Sequence, residues 1–298
     1  MESPSQINVF NTGVFLHPHY EKRYKGGEDA ATISPNLIAV ADGVGGWASS
    51  GIDPAIYSKR LCTVIGEIAE KADDHRLMNP RDIIIEACDQ NKETGSSTCV
   101  IATLDRYAPF LYTANLGDSG YLLLRKNGLD LISIFRSTEQ THGFNFPFQI
   151  GTGGDDPARA DPQTHQVEHN DIIILGSDGL FDNLYDIKII ELLRPFVRDR
   201  DQILDPTLVA ELIAKEAEKY SYNQAYVSPF AKSARENFYD YAGGKPDDIT
   251  VIVAQITLSE DGRKTKNWRY WRNLNAKNAE IIKILRINFA SKTFKSIN

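Results

Sequence analysis

Acidic residues recur in this chain where apolar segments end. Leu37-Ile38-Ala39-Val40-Ala41 has the length and residue types of a buried strand; Asp42 follows it, then Gly43-Val44-Gly45-Gly46. A strand tip fixes a side chain more firmly than a loop, and glycine beside it lets the backbone approach a ligand. A tight strand-to-helix turn with an Asp cap would look the same at this one place. The design returns, however, in Ile172-Ile173-Ile174-Leu175-Gly176 followed by Ser177-Asp178-Gly179, and Asp247 or Asp248 stands before the apolar residues 249–256. Asp118 sits in a turn between two strand-like runs, and Glu28-Asp29 precede Thr32-Ile33 with no lysine partner in step, as a solvated pair or a functional one would. So many placements from both ends of the chain exceed what caps require. Carboxylates gathered closely repel and hold protons, and divalent cations remove that conflict. An all-oxygen donor set suits magnesium or manganese. The 6 histidines are scattered without zinc spacing. A pair of such ions bridged by a carboxylate lowers the pKa of a shared water and clamps an in-line displacement at phosphorus. Lys22, Arg23 and Lys25, just before Glu28, could hold a phosphate oxygen or form a surface basic cluster. There is no GxxxxGK[ST] loop and no GxSxG elbow, so an NTPase or a serine-hydrolase reading has no support.

The elements needed to position these acids are legible in outline. The 298 residues are 42% hydrophobic and 24% charged, an ordinary globular composition. The formal net charge of -7 argues against a general nucleic-acid binder. The 3 cysteines, Cys62, Cys88 and Cys99, form no CxxC, lie on apolar patterns and read as buried thiols of a reducing compartment. No apolar run is long enough to span a membrane, and the first residues show neither a secretory nor a transit pattern. Asp53-Pro54, Asn79-Pro80 and Asp205-Pro206 read as helix starts, and Asp182-Asn183 as a further cap before Ile187, Ile190 and Leu193. Leu208, Leu212 and Ala217 lie along the helix after Pro206. Strand-like runs joined by short turns fill residues 97–135, with Asn127-Gly128 as a hairpin signal, and predict antiparallel pairing. Residues 22–27 read as basic and flexible, 137–161 as a loop lining a groove, and 221–244 as an irregular flap with aromatic anchors. From about Glu260 the composition turns basic. Residues 1–260 are therefore expected as one domain and 261–298 as an extension, either solvated or touching an anionic membrane or a partner.

Taken together, the motifs resemble the metal-dependent protein phosphatases of type 2C, the PPM family. The matching segments are Gly27-Glu28-Asp29-Ala30, Ala41-Asp42-Gly43-Val44-Gly45-Gly46, Gly95-Ser96-Ser97-Thr98, Asn115-Leu116-Gly117-Asp118-Ser119, Gly176-Ser177-Asp178-Gly179-Leu180-Phe181-Asp182 and Pro246-Asp247-Asp248-Ile249-Thr250. Each is weak alone; in the family's order, across residues 9–256, they are specific. The resemblance implies an α+β fold, a four-layer αββα sandwich of two antiparallel sheets flanked by helix pairs. It implies hydrolysis of serine/threonine phosphoproteins by attack of a metal-bridging water, with two Mn2+ or Mg2+ ions and a weaker third. By motif, Asp42 bridges both ions, Gly43 offers its carbonyl, Asp178 and Asp247 hold the first ion, and Glu28 and Asp29 act at the second. Asp118 joins Asp178 at the third, and Asp248 stands where many members have Asn. Asp42, Asp178 and Asp247 are thus the expected catalytic acids, with Arg23 and Lys25 for substrate phosphate, because Tyr24 occupies the place of the usual arginine. Val44 stands where many members carry a general-acid histidine. Trp47 and Gly51-Ile52-Asp53-Pro54 resemble the mitochondrial branch, which implies the matrix, with the cytoplasm as alternative. A monomer is expected. The other functions in view are a catalytically silent binding module on this scaffold and a phosphatase of a small phosphorylated metabolite.

Overall fold

The computed structural model describes residues 7–260, so the basic extension lies outside the described residues. Two five-stranded antiparallel sheets form its centre. Edge to edge, the first runs Val9–His17, Ile249–Thr257, Ile172–Gly176, Gly120–Asn127 and Asp130–Arg136. The second runs Asp161–Gln166, Phe110–Leu116, Cys99–Leu104, Leu37–Asp42 and Asp29–Ile33. Successive strand side chains point to opposite faces, and the apolar residues separate accordingly. Ile38, Val40, Val100 and Ala102 meet Leu123, Ile173, Leu175 and Ile252 between the sheets. Leu37, Ala39, Ala41 and Ile101 face the helices Pro54–Lys71 and Pro80–Gln90. Leu122, Ile174, Val251 and Val253 face Asp186–Val197 and Pro206–Ser221. Three apolar layers between four layers of elements give the expected αββα sandwich. Strands buried on both faces explain why these segments read as continuous apolar runs.

Several local expectations are corrected. The helix after Asp182 begins at Asp186, behind a short helix at Asp178–Phe181. The Asp182 carboxylate is committed to Lys245, 2.7 Å away, in place of a helix cap. In Pro206–Ser221 the buried stripe is Val209, Ala210, Ile213, Ala214 and Ala217, while Leu208 and Leu212 are 43% and 41% exposed. Close approach of the neighbouring strand accompanies that choice. A Cβ on Gly13 of the neighbouring edge strand would lie 2.0 Å from the Thr207 nitrogen, so only glycine admits the helix there. Residues 20–25 form a short 3-10 helix closed by Gly26 in the left-handed region at φ 83°. The segment 137–161 carries small strand pairings, including Ile150–Gly151 with Ser96–Ser97. The segment 221–244 holds the helix Pro229–Glu236, anchored by Phe230 against Phe144 and Tyr241. Cys62 and Cys99 are buried thiols, whereas Cys88 is half-buried beside the Tyr57 hydroxyl.

Candidate active site

One end of the sandwich collects the acids. Asp29 and Asp42 are directly opposed partners of adjacent strands, a register that puts both carboxylates on one face. The chain is pinned here from both sides: Asp42 donates its N–H to Thr98 Oγ1 at 3.2 Å, and its carbonyl accepts from the Thr98 N–H at 2.9 Å. Gly43 donates to the Glu28 carbonyl at 3.2 Å. A Cβ at Gly43 would stand 2.6 Å from the Pro54 carbonyl oxygen and 2.8 Å from that of Glu28. The glycine is therefore a steric requirement of bringing Glu28 beside Asp42. In the other sheet, Asp178 opens the short helix after Ile172–Gly176. A Cβ on Gly179 would fall 2.0 Å from the Asp248 carbonyl oxygen, so glycine again lets two segments touch and brings Asp178 to Asp247. Asp118 joins from the turn whose Gly117 has φ 104°.

The acids act on one another. Burial pushes Asp42 well above the usual carboxylate range, and Asp29, Asp178, Asp247 and Asp118 all add to it. Burial and the Asp248 charge push Asp29 up to about 8. Asp118 is raised by burial and then by Asp178, and Asp247 likewise, with lysines partly offsetting each. Asp178 goes the other way: burial opposes its charge, but its contacts, those with Lys245 foremost, together outweigh burial and hold it low. Neither Asp29 oxygen, nor Asp178 Oδ1, has a protein hydrogen-bond partner. Buried, mutually repelling carboxylates with unpartnered oxygens fit a hard divalent cation. Among the described residues no three carboxylates, imidazoles or thiolates are drawn into ligand geometry around one point. Two ammonium groups stand among the acids.

Lys245 is the residue the sequence reading missed, and Lys22, read there as a phosphate or surface cation, was not read as a partner of the acids. Lys22 Nζ lies 2.7 Å from Glu28 and 3.3 Å from both Asp247 and Asp248. Lys245 Nζ contacts Asp178, sits 2.7 Å from Asp182 and lies 3.8 Å from Asp247. Glu28 is therefore not without a lysine partner, since Lys25 also reaches it at 2.7 Å and bridges to Asp53 at 3.0 Å. Arg23 is not brought to the cluster; its guanidinium pairs with Glu218 at 2.6 Å and approaches His17. Asp248 accepts from the Glu28 N–H at 2.8 Å and the His19 N–H at 2.6 Å. It thereby holds the chain that carries Glu28. Val44 donates its N–H to the Ser96 carbonyl at 3.0 Å and lines a groove with Trp47, His142 and Gln149. A second groove, between residues 139–145 and the helix Pro229–Glu236, opens onto Asp118 and Asp182. The only available hints of the lysines were their nearness in sequence to Glu28 and Asp247.

The family model described as Stage II sporulation protein E (SpoIIE) matches residues 36–257. Probable protein phosphatase 2C 80 of Arabidopsis thaliana is 38% identical over 247 residues, which make up 81% of this chain and 57% of that protein. Protein phosphatase PTC7 homolog of Homo sapiens is 38% identical over 255 residues, 79% of this chain and 81% of that protein. The chain thus spans little more than half the length of the plant relative. The photosystem II phosphatase PBCP superposes with a TM-score of 0.73 at 30% identity, over 83% of this chain and 98% of that one. The catalytic domain of serine threonine protein phosphatase PstP, in complex with 2 manganese ions, shares the fold with a TM-score of 0.59 at 18% identity, over 84% of this chain and 99% of that one. With the acid cluster in place and relatives of this length and identity, the chain belongs to the metal-dependent protein phosphatase family, type 2C.

Proposed function

We propose that this chain is a serine/threonine protein phosphatase working with Mn2+ or Mg2+ and that its acid cluster holds the ions. The observation that carries the reading is the convergence of Asp29 and Asp42 from one sheet with Asp178 and Asp247 from the other. Their charges conflict when no cation is present. Asp42, Asp178 and Asp247 would bind the ions directly, with Glu28, Asp29, the Gly43 carbonyl and Asp118 completing the set. Bound there, the ions supply an activated water and neutralise charge on the phosphoryl oxygens. The chain's own work is placement: strand pairing aligns Asp29 with Asp42, and Asp248 fixes the backbone at Glu28. Lys22 and Lys25, whose ammoniums already reach Glu28, are the groups we assign to the substrate phosphate in place of Arg23. The grooves on either side of His142 would take the polypeptide flanking the phosphoresidue. The relatives named as protein phosphatases support a phosphoprotein over a small metabolite as substrate.

The test is turnover of a phosphothreonine peptide and of p-nitrophenyl phosphate with Mn2+, with Mg2+ and with chelator. Wild type is expected to turn over only with metal, and Asp42→Asn to lose at least about a hundredfold. Chelator-resistant turnover, or an active Asp42→Asn, would refute the proposal. Preference for small phosphate esters over every phosphoprotein tried would move the substrate class. A mitochondrial matrix address remains our proposal, on the strength of the branch resemblance; imaging the full-length product tests it against the cytoplasm.

A further inference from the structure

Lys245 is built into the acid cluster with unusual care. Its backbone is clasped by one side chain: Asn183 Oδ1 accepts from the Lys245 N–H at 2.8 Å, and Asn183 Nδ2 donates to the Lys245 carbonyl at 2.8 Å. Asn183 is fully buried and is itself tied to the Gly179 carbonyl at 2.9 Å, one residue from Asp178. The lysine side chain passes the Phe230 ring, with Nζ 5.0 Å from its centroid, and is only 15% exposed. Its ammonium then sits between Asp178 and Asp182 and faces Asp247. Asp118 and Glu139, across the groove, also feel its charge. A lysine held at its backbone, flanked by an aromatic ring and aimed at two buried acids is a fixed element of the site.

Asp118 and Asp178 are the pair that the family resemblance assigns to a weaker third ion. Here an ammonium already rests on Asp178 and Asp182, beside that pair. We propose that Lys245 is the chain's own third cation, a tethered charge in the place of a third metal ion, so that this protein loads two divalent ions and no third. The physics favours the lysine. A tethered group is present at high effective concentration whatever the metal supply. A divalent ion entering beside a fixed ammonium meets like-charge repulsion at a few ångströms in a poorly solvated site. The proposal rests on the metal-dependent reading above, and its test is chosen so that the two can fail separately.

The measurement is the number of Mn2+ ions bound per chain, by calorimetric titration and by electron paramagnetic resonance of free Mn2+, up to millimolar metal. Wild type is expected to bind two, as is Lys245→Arg, which keeps the charge. Lys245→Met should gain a third, weaker ion, and Lys245→Met with Asp118→Asn should lose it again. Three ions in wild type, or an unchanged two in folded Lys245→Met, would overturn the role given to Lys245 and leave the metal-dependent reading standing. No Mn2+ bound by wild type would overturn both. Circular dichroism establishes folding of each variant. If Lys245→Met does not fold, the wild-type count decides: two sustains the proposal and three ends it.

Discussion

Asp248 shows what a single side chain does here. Its carboxylate lies 3.3 Å from the Lys22 ammonium and serves chiefly the backbone. Its two oxygens accept from the His19 and Glu28 N–H groups, at 2.6 and 2.8 Å. A buried N–H left without an acceptor costs about 1–3 kcal/mol. Asp248→Ala is therefore expected to destabilise by about that amount per orphaned group. It should also weaken Mn2+ binding about 10–100-fold by loosening the chain that presents Glu28. Asp248→Asn, which keeps one acceptor oxygen, should fall between; urea unfolding and calorimetric titration separate the two effects. Gly43→Ala tests the same neighbourhood from the steric side. Its new methyl would press on two carbonyl oxygens, and overpacking of this kind costs roughly 1–3 kcal/mol. The acids at Asp42, Asp178 and Asp247 were legible because each stands next to a glycine or a strand run. Lys245 was not, and the reach of Lys22 to Asp247 was not, because an ammonium that meets an acid 67 or 225 residues away along the chain leaves no local pattern.

At the scale of elements, capping and periodicity told most of the story. Asp53 and Asp205 do cap their helices, each with Pro at the first helical position. Asp205→Ala should cost about 1 kcal/mol of stability and leave phosphatase activity unchanged. Of the residues read along Pro206–Ser221, Ala217 is buried but Leu208 and Leu212 are not, because the leucines look more apolar than Ala210 and Ala214 two positions on. The edge strand decides otherwise: Gly13 lets the helix start close against it, and the side that turns inward carries Val209, Ala210, Ile213 and Ala214. Ile213→Ala is thus expected to cost about 2–5 kcal/mol, as for a filled core position. Leu212→Ala should stay within about 0.5 kcal/mol, as at a surface position. Equal losses in paired urea titrations would contradict the burial pattern. The helix Pro229–Glu236 was unreadable for a related reason, since it buries only Phe230, Ala231 and Ala234 and so has too few turns to show a period.

Across the whole molecule, the acids from both sheets meet at one end of the sandwich and make stability depend on proton and metal together. Asp29 is pushed up to about 8 and Asp182 to about 7, both chiefly by burial, from the ordinary value of 3.8. A carboxyl raised in the folded state binds more protons there than in the unfolded chain. Its stabilising contribution is complete below the unfolded value and is lost as pH rises through the folded one. Asp178, held low by its contacts, Lys245 foremost, works oppositely and loses its contribution as pH falls. His165, lowered by burial, acts only below its ordinary 6.5. Between pH 6.5 and 8.5 the raised acids therefore dominate. In chelator, the melting temperature should fall across that interval, and Asp29→Asn should flatten the decline. Saturating Mn2+ should raise the melting temperature most at the alkaline end, since a ligand at a hundred times its dissociation constant adds about 2.7 kcal/mol. A melting temperature that climbs with pH in chelator, or that ignores Mn2+ at pH 8, would mean that the repulsion between the two sheets' acids is relieved by something other than protons and metal ions.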